Sequence, residues 1–441
     1  MQARPKGPNN HRTFMYHWFN DSHEKATKVK KGFYAVISAQ FFSSLADNAL
    51  LIATIALLVE LASPDWMHPL LKLFFTVSYV LLAPFVGAFA DAMPKGRAMF
   101  IGNLVKISGG VLAFVGVHPL LAYGLVGLGA AAYSPAKYGI LTELLPPSQL
   151  VAANGWIEGT TVSSIILGTM LGGILITPLV SGFLIELMPL IQSPAQAALV
   201  VVAGLYGIAA LLNLRIPSTG AQYRQRGFHP VVMTRMFWMA NKRLWTDKLG
   251  QISLAVTTLF WGAGATLQFI VLRWAEHQLG MTLDQAAILQ GVVAIGIAVG
   301  AISAAKSIQL QDSCRVLVLG ALMGIFVPGM IFVFDIYVAI ALLAFIGMLA
   351  GFFVVPMNAL LQHRGHVTLS AGRSIAVQNF NENLNVLLML AIYAGLLHLN
   401  VPINVVIVMF GAFVAMAMLL VMVWYRNNRK NHDLAALIQS H

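Results

Sequence analysis

The stretch VGAFADAMPKGR, Val86 to Arg97, joins two long apolar runs through one acid, Asp91, and a short basic cluster, Lys95, Gly96 and Arg97. At about 1.5 Å per residue, the runs on either side (70–91 and 98–117) are long enough to cross roughly 30 Å of hydrocarbon. The stretch therefore reads as a tight turn between two membrane spans, with its cations on the cytoplasmic side.

The rest of the chain has the same character. Hydrophobic residues make up 58% of the 441 and charged residues only 10%, against roughly 25% charged in a soluble domain. Twelve apolar runs qualify as spans, near 33–60, 70–91, 98–117, 119–145, 149–176, 194–214, 249–273, 283–306, 314–334, 336–361, 372–398 and 401–425. Of the 27 Lys and Arg, 23 fall in the two tails and in alternate connections. That places both termini in the cytoplasm. The net charge of +11 follows the membrane in this way and needs no nucleic acid as partner. Residues 1–32 are polar and basic without an apolar core, so a mobile cytoplasmic tail and no cleaved leader are expected.

Residues 215–248 separate a bundle at 33–214 from one at 249–425, followed by a tail at 426–441. Within this linker, VVMTRMFWMANKRLWTDKLG mixes Met, Phe and Trp with Arg235, Lys242 and Arg243. It suits either a helix on the cytoplasmic membrane surface or a plain basic connection. The halves also resemble each other: Gly87 matches Gly300, Pro135 matches Pro356, and Glu158 matches Glu382. The expected fold is an all-α membrane protein of twelve transmembrane helices, two six-helix bundles related by a parallel repeat. This is the architecture of the major facilitator superfamily. The Gly87, Asp91, Lys95, Gly96, Arg97 pattern resembles that superfamily's signature between spans two and three. Here the acid can bind a neighbouring helix N-terminus and hold one conformation shut.

Ionisable and amide side chains inside a membrane are costly unless paired or facing water. Asp47 and Asn48 lie about 21 Å into the first span, so the acid must face a cavity or a cation. Lys106, Lys137, Glu143 and Glu158 form a balanced group toward the cytoplasmic half of the first bundle, read as structural or gating. Asn154, Glu158 and Thr161 share a helix face, as do Gln378, Asn381, Glu382 and Asn385, with Asn379 and Asn383 adjoining. The second set either lines a polar interior or binds helices together. Arg273 lies near the outer end of span seven, where it can meet a phosphate or reach the headgroups. His363 and His366 are placed in a short solvated loop, without a metal.

Several chemistries are missing. There is no GK[ST], GxSxG or HExxH, and no His followed five positions later by Asp, so nucleotide hydrolysis and acyl transfer lack their motifs. The single cysteine, Cys314, rules out a disulfide framework. Neither an enzyme activity nor a cofactor is expected.

QFFSSLADNALL (40–51), APFVGAFAD (83–91), GAAAYSPAKYGILTE (129–143), FWGAGATL (260–267), GFFVVPMNALLQHRG (351–365) and AVQN (376–379) resemble the bacterial lysophospholipid transporter family of the major facilitator superfamily. The resemblance implies a flippase of the bacterial inner membrane. Such a protein moves lysophosphatidylethanolamine and lysophosphatidylglycerol from the outer to the cytoplasmic leaflet, where an acyltransferase/acyl-carrier-protein synthetase reacylates them. It implies headgroup binding by Asp47 in a cavity open sideways to lipid. Members carry an arginine where this chain has Gln268 in TLQF. The substrate-facing residues expected are Gln40, Asp47, Asn48, Lys137, Glu158, Gln268, Arg273, Gln378, Asn379 and Glu382; the gating residues are Gly87, Asp91, Lys95, Arg97 and Glu143. The rival reading is a proton-coupled exporter of small amphiphiles in which Asp47 or Glu158 titrates.

Overall fold

The computed structural model describes residues 10–64, 67–221, 223, 229–281 and 283–439, with no strand among them. In chain order the helices are α1 (Asn10–Glu60), α2 (Met67–Leu81), α3 (Ala83–Asp91), α4 (Lys95–Phe114), α5 (Pro119–Leu144), α6 (Leu150–Leu175), α7 (Pro178–Leu187) and α8 (Pro194–Leu214). They continue as α9 (Pro230–Thr246), α10 (Gly250–Leu279), α11 (Leu283–Ser307), α12 (Leu317–Phe326), α13 (Ile336–Thr368), α14 (Ala371–His398), α15 (Ile403–Asn431) and α16 (Leu434–Gln439). Short 3-10 turns on both sides of α12 extend it to an apolar span at Leu310–Phe332.

Among the described residues ten helices are long and apolar enough to cross a membrane, and α2 with α3 makes an eleventh. The 26-residue α5, packed along α2 and α4, fills the twelfth position. Large apolar side chains such as Leu167, Met170, Ile295 and Leu420 remain exposed along the spans, as lipid-facing helices require.

The second span is not continuous. It bends by 66° between Leu81 and Ala83. Pro84, at the start of α3, has no N–H for the carbonyl one turn earlier, and its ring obstructs a straight helix. A second departure from the expected spans is α13, whose 33 residues continue well past 361. Its start is fixed by Asp335, which accepts hydrogen bonds from the Tyr337 and Val338 N–H groups at 2.9 and 3.1 Å. His363 and His366 are therefore helical residues, the first buried and the second half-buried, not members of a solvated loop, and Arg364 between them is buried as well. Their burial comes from packing, which a short polar sequence does not reveal. The third departure is α7, a ten-residue apolar helix too short to span.

Each half has its own core. Ala46, Leu50, Tyr123, Val126, Leu199 and Tyr206 belong to one cluster in the first half. Ile270, Trp274, Leu343, Tyr393 and Phe410 belong to one in the second. A third cluster mixes the halves, with Leu141, Leu150 and Ile157 against Leu249, Ala301 and Leu360. These residues lie toward the end that also carries α9, called here the linker end. Gly155 of α6 comes so close to α11 that a Cβ there would sit 2.5 Å from Ala305 Cβ. One turn further on, Gly159 meets nothing within 4 Å.

Candidate substrate path and gate

Near the middle of the apolar span Lys31–Glu60 of α1, Asp47 faces a cation. Lys106 of α4 donates to both of its carboxylate oxygens, at 2.8 and 2.9 Å, and the Tyr206 hydroxyl of α8 donates to Oδ1 at 2.7 Å. The Lys106 ammonium also donates to Ser43 Oγ at 3.1 Å, and Ser43 in turn to Asn103 Oδ1 at 2.8 Å. The rings of Tyr133 and Tyr206 lie 5.0 and 5.5 Å from Nζ, within cation–π reach. A close approach makes this possible: a Cβ on Gly129 of α5 would lie 2.8 Å from Lys106 Cγ. Lys106 is almost sealed, yet the Asp47 side chain keeps 24% exposure, so the pair presents its acid to an opening. Gln40 and Asn48 lie on the same helix. Gln40 donates to Thr161 of α6 at 3.3 Å, and Asn48 donates to the Ser44 carbonyl at 2.8 Å, which leaves it half-buried.

The balanced group expected from the sequence divides. Lys106 belongs to Asp47, because α1 and α4 both pack along α8. Glu143, at the end of α5, joins Lys95 at the linker end. Lys137 and Glu158 stay together deep in the interior, joined through Tyr138, whose ring lies 4.0 Å from Lys137 Nζ and whose hydroxyl donates to Glu158 at 3.4 Å. Glu382 of α14 faces this pair closely enough for all three to act on one another electrostatically.

The amides of α14 act mainly as helix contacts. Gln378 donates to Asn358 at 3.1 Å and to Glu382 at 2.8 Å, and Asn379 crosses to Ser134 of α5 at 2.9 Å. Asn381 donates to Asn241 of α9 at 2.9 Å, and Asn385 to the Thr258 carbonyl at 2.8 Å. Gln268 and Arg273 are exposed on α10 and hydrogen-bond to none of these groups among the described contacts. Each falls on a face of α10 that packing leaves uncovered.

Gly87 and Asp91 close the linker end. The Asp91 carboxylate accepts from Lys95 Nζ at 2.6 Å, from the Gly372 N–H at 2.9 Å, and from the Ser370 hydroxyl. Gly372 and Ser370 belong to the start of α14, so an acid from one half caps a helix of the other. A Cβ on Gly87 would lie 2.9 Å from Arg373 Cα, and one on Gly372 would lie 2.6 Å from Asp91 Oδ1. Lys95 also reaches Glu143 at 3.4 Å. Thr219 and Tyr223 of the linker donate to Glu143 at 2.6 and 2.9 Å. Burial and the Glu143 charge push the Tyr223 phenol upward, so it remains a donor. Arg97 takes no part. Two residues beyond Lys95 it points about 200° away, and it is exposed.

Three contacts had no clear sequence signal. Asn154 and Gln362 exchange amide hydrogen bonds at 2.9 and 2.8 Å across the halves. Asp247, between α9 and α10, pairs with Arg364 at 2.6 and 3.1 Å. Tyr206 completes the Asp47 site. Spacing does carry part of the rest: Ser43 with Asp47, and Asn103 with Lys106, each lie one turn apart. Among the described residues every hydrogen bond between the halves falls in the linker-end half of the helices. The molecule is thus closed at the linker end and unlatched at the other.

Comparison with known proteins agrees with this architecture. Residues 36–385 match the Major Facilitator Superfamily. The solved transporter FucP, in the outward conformation, superposes with a TM-score of 0.69 at 13% identity, covering 90% of this chain and 98% of that one. A bacterial homologue of the iron transporter ferroportin, in its outward-facing state, gives 0.68 at 14% identity, with 90% and 99% covered. Much nearer in sequence is the lysophospholipid transporter LplT of Yersinia enterocolitica, 44% identical over 85% of this chain and 89% of that protein. The lysophospholipid transporter LplT of Klebsiella pneumoniae (strain 342) is 43% identical over 92% and 98%. The chain belongs to the Major Facilitator Superfamily and, within it, to the lysophospholipid transporter family.

Proposed function

We propose that the chain carries lysophospholipids from the outer to the cytoplasmic leaflet of a bacterial inner membrane, with its linker end and both termini in the cytoplasm. The observation that carries the mechanism is the asymmetry of closure: among the described residues the inter-half hydrogen bonds lie at one end, and a partly exposed Asp47 lies beyond them. The substrate class comes from the relatives, which are named lysophospholipid transporters.

In this reading the polar head enters from the unlatched end. A zwitterionic or anionic head meets the Asp47–Lys106 pair, which offers both charges in a small space, with Gln40 and Asn48 beside it. The single acyl chain stays against apolar helix faces or in the bilayer, so only the head needs a polar route. Rocking of the halves breaks the Asp91 cap on α14 and opens the linker end while the other end closes. Gly87, Lys95 and Glu143 shape that gate. Lys137, Glu158, Gln378, Asn379 and Glu382 form the second polar station on the way, and Gln268 and Arg273 lie at the entrance. In this proposal lysophosphatidylethanolamine and lysophosphatidylglycerol are the substrates, and an acyltransferase/acyl-carrier-protein synthetase on the cytoplasmic side is the functional partner.

The test uses purified chain in proteoliposomes loaded with labelled lysophosphatidylethanolamine in one leaflet. Protein should accelerate its transfer, Asp47→Asn should slow it, and a two-tailed phospholipid should not move. A transfer rate equal to that of protein-free vesicles ends the proposal. The interior acids Glu158 and Glu382 favour proton-coupled export as the second reading, which requires transport that follows a pH gradient and ignores lysophospholipid.

A further inference from the structure

We infer that α9 is a strap that binds anionic phospholipid headgroups of the leaflet at the linker end. Its inner face holds Met233, Phe237, Ala240 and Leu244, spaced by four, three and four residues and all buried. This face seats on both halves. Phe237 shares a cluster with Ala83 of α3 and with Val377 and Phe380 of α14, and its ring meets that of Phe380 edge-on at 5.2 Å. Trp245 Nε1 donates to Asn381 at 3.2 Å. The strap therefore crosses the joint that the Asp91 cap closes.

The outer face has a different composition. Arg235, Lys242 and Arg243 are exposed there, beside Val231, Trp238 and Met239 at 70%, 53% and 52% exposure. Pro230–Thr246 contains no acid, and none of the three cations has an ion pair among the described residues. A face turned only to water would not leave Trp, Met and Val this open. One sunk in hydrocarbon would not carry three unpaired cations. The mixture matches the headgroup layer, where aromatic and apolar groups reach the acyl boundary and cations meet phosphate. Both neighbouring spans, α8 and α10, end at this same surface, so the helix is held at the depth the face requires. The charge selects anionic heads over zwitterionic ones.

The experiment places an environment-sensitive fluorophore at Met239→Cys in a Cys314→Ala background of the full chain, reconstituted in vesicles. Quenching by brominated phosphatidylglycerol is compared with quenching by brominated phosphatidylcholine. A cation near an anionic surface is worth about a fivefold preference, so three give on the order of a hundredfold local enrichment. The preference for phosphatidylglycerol should shrink as salt shortens the Debye length from about 10 Å toward 3 Å. It should also vanish in Arg235→Gln/Lys242→Gln/Arg243→Gln, whose changes lie away from the packed face. Equal quenching by the two lipids, or an unaltered preference in the triple variant, overturns the inference. So does relief by inorganic phosphate beyond that of potassium chloride at equal ionic strength, which would mark a site for a soluble anion.

Discussion

Replacing Asp91 by Asn should open the linker end without unfolding the protein. The Asp91–Lys95 contact joins residues four apart in one half, so it exists in both conformations and cancels from the balance between them. What distinguishes the closed state are the bonds from Gly372 N–H and Ser370 Oγ in the other half. Asparagine keeps one carbonyl acceptor, and the Ser370 hydroxyl can turn to accept from its amide. The loss is therefore the charge assistance of two hydrogen bonds, about 1 kcal/mol each. A total of about 2 kcal/mol lowers the closed-to-open ratio roughly thirtyfold. Cys314 is the only native cysteine, so Ser134→Cys in a Cys314→Ala background supplies one reporter at the inter-half contact with Asn379. An impermeant maleimide added at the linker end should label it far faster when Asp91 is Asn. Gly372→Ala should act in the same direction, because its Cβ would intrude to 2.6 Å of Asp91 Oδ1. Labelling rates within twofold of the Asp91 protein in both variants would refute the assignment of this contact as the latch.

Other consequences concern stability. Lys106→Ala strands the Asp47 carboxylate and should cost roughly 3 kcal/mol, the lower end for a broken buried pair because Asp47 is partly exposed. Thermal unfolding should show much of that loss recovered in Lys106→Met/Asp47→Asn. At Asp247, burial alone would raise the carboxyl, but hydrogen bonds from Arg364 and from the Gly250 and Leu249 N–H groups outweigh it and hold it below the usual carboxylate range. A depressed folded-state pKa stabilises above the unfolded value, about 3.9, and that stability is lost as pH falls through the folded value. Melting temperatures of the native chain and Asp247→Asn should differ by a constant amount above pH of about 5 and converge below about 4.

Much of this architecture was legible because the bilayer imposes simple rules. Span length and the recurrence of Pro135 as Pro356 follow from hydrocarbon thickness and a repeated half. The contact of Gly87 and Asp91 with a neighbouring helix start was also readable, since an acid at a span's end next to a close-packed glycine leaves few partners. Arg97 is exposed and lies apart from that contact, because the motif gives proximity in sequence, whereas about one hundred degrees per residue decides the face. The partners of Asp47 stayed hidden for a related reason. Lys106 and Tyr206 lie 59 and 159 residues away, and only the packing of α1 and α4 along α8 brings them together. His363 and His366 look like loop residues because they are polar, yet α13 continues through them, and Asp247 supplies the counter-charge for Arg364 between them.

The account stands on movement of the two halves about a linker end that must open. Gly139 and Ala371 offer the direct test, since a Cβ on Gly139 would lie 3.2 Å from that of Ala371 across the halves, near the 3.5–4.5 Å span of a disulfide. Oxidising Gly139→Cys/Ala371→Cys in the Cys314→Ala chain should stop transfer of labelled lysophosphatidylethanolamine in proteoliposomes, and reduction should restore it. Undiminished transfer by the fully cross-linked protein would contradict the account.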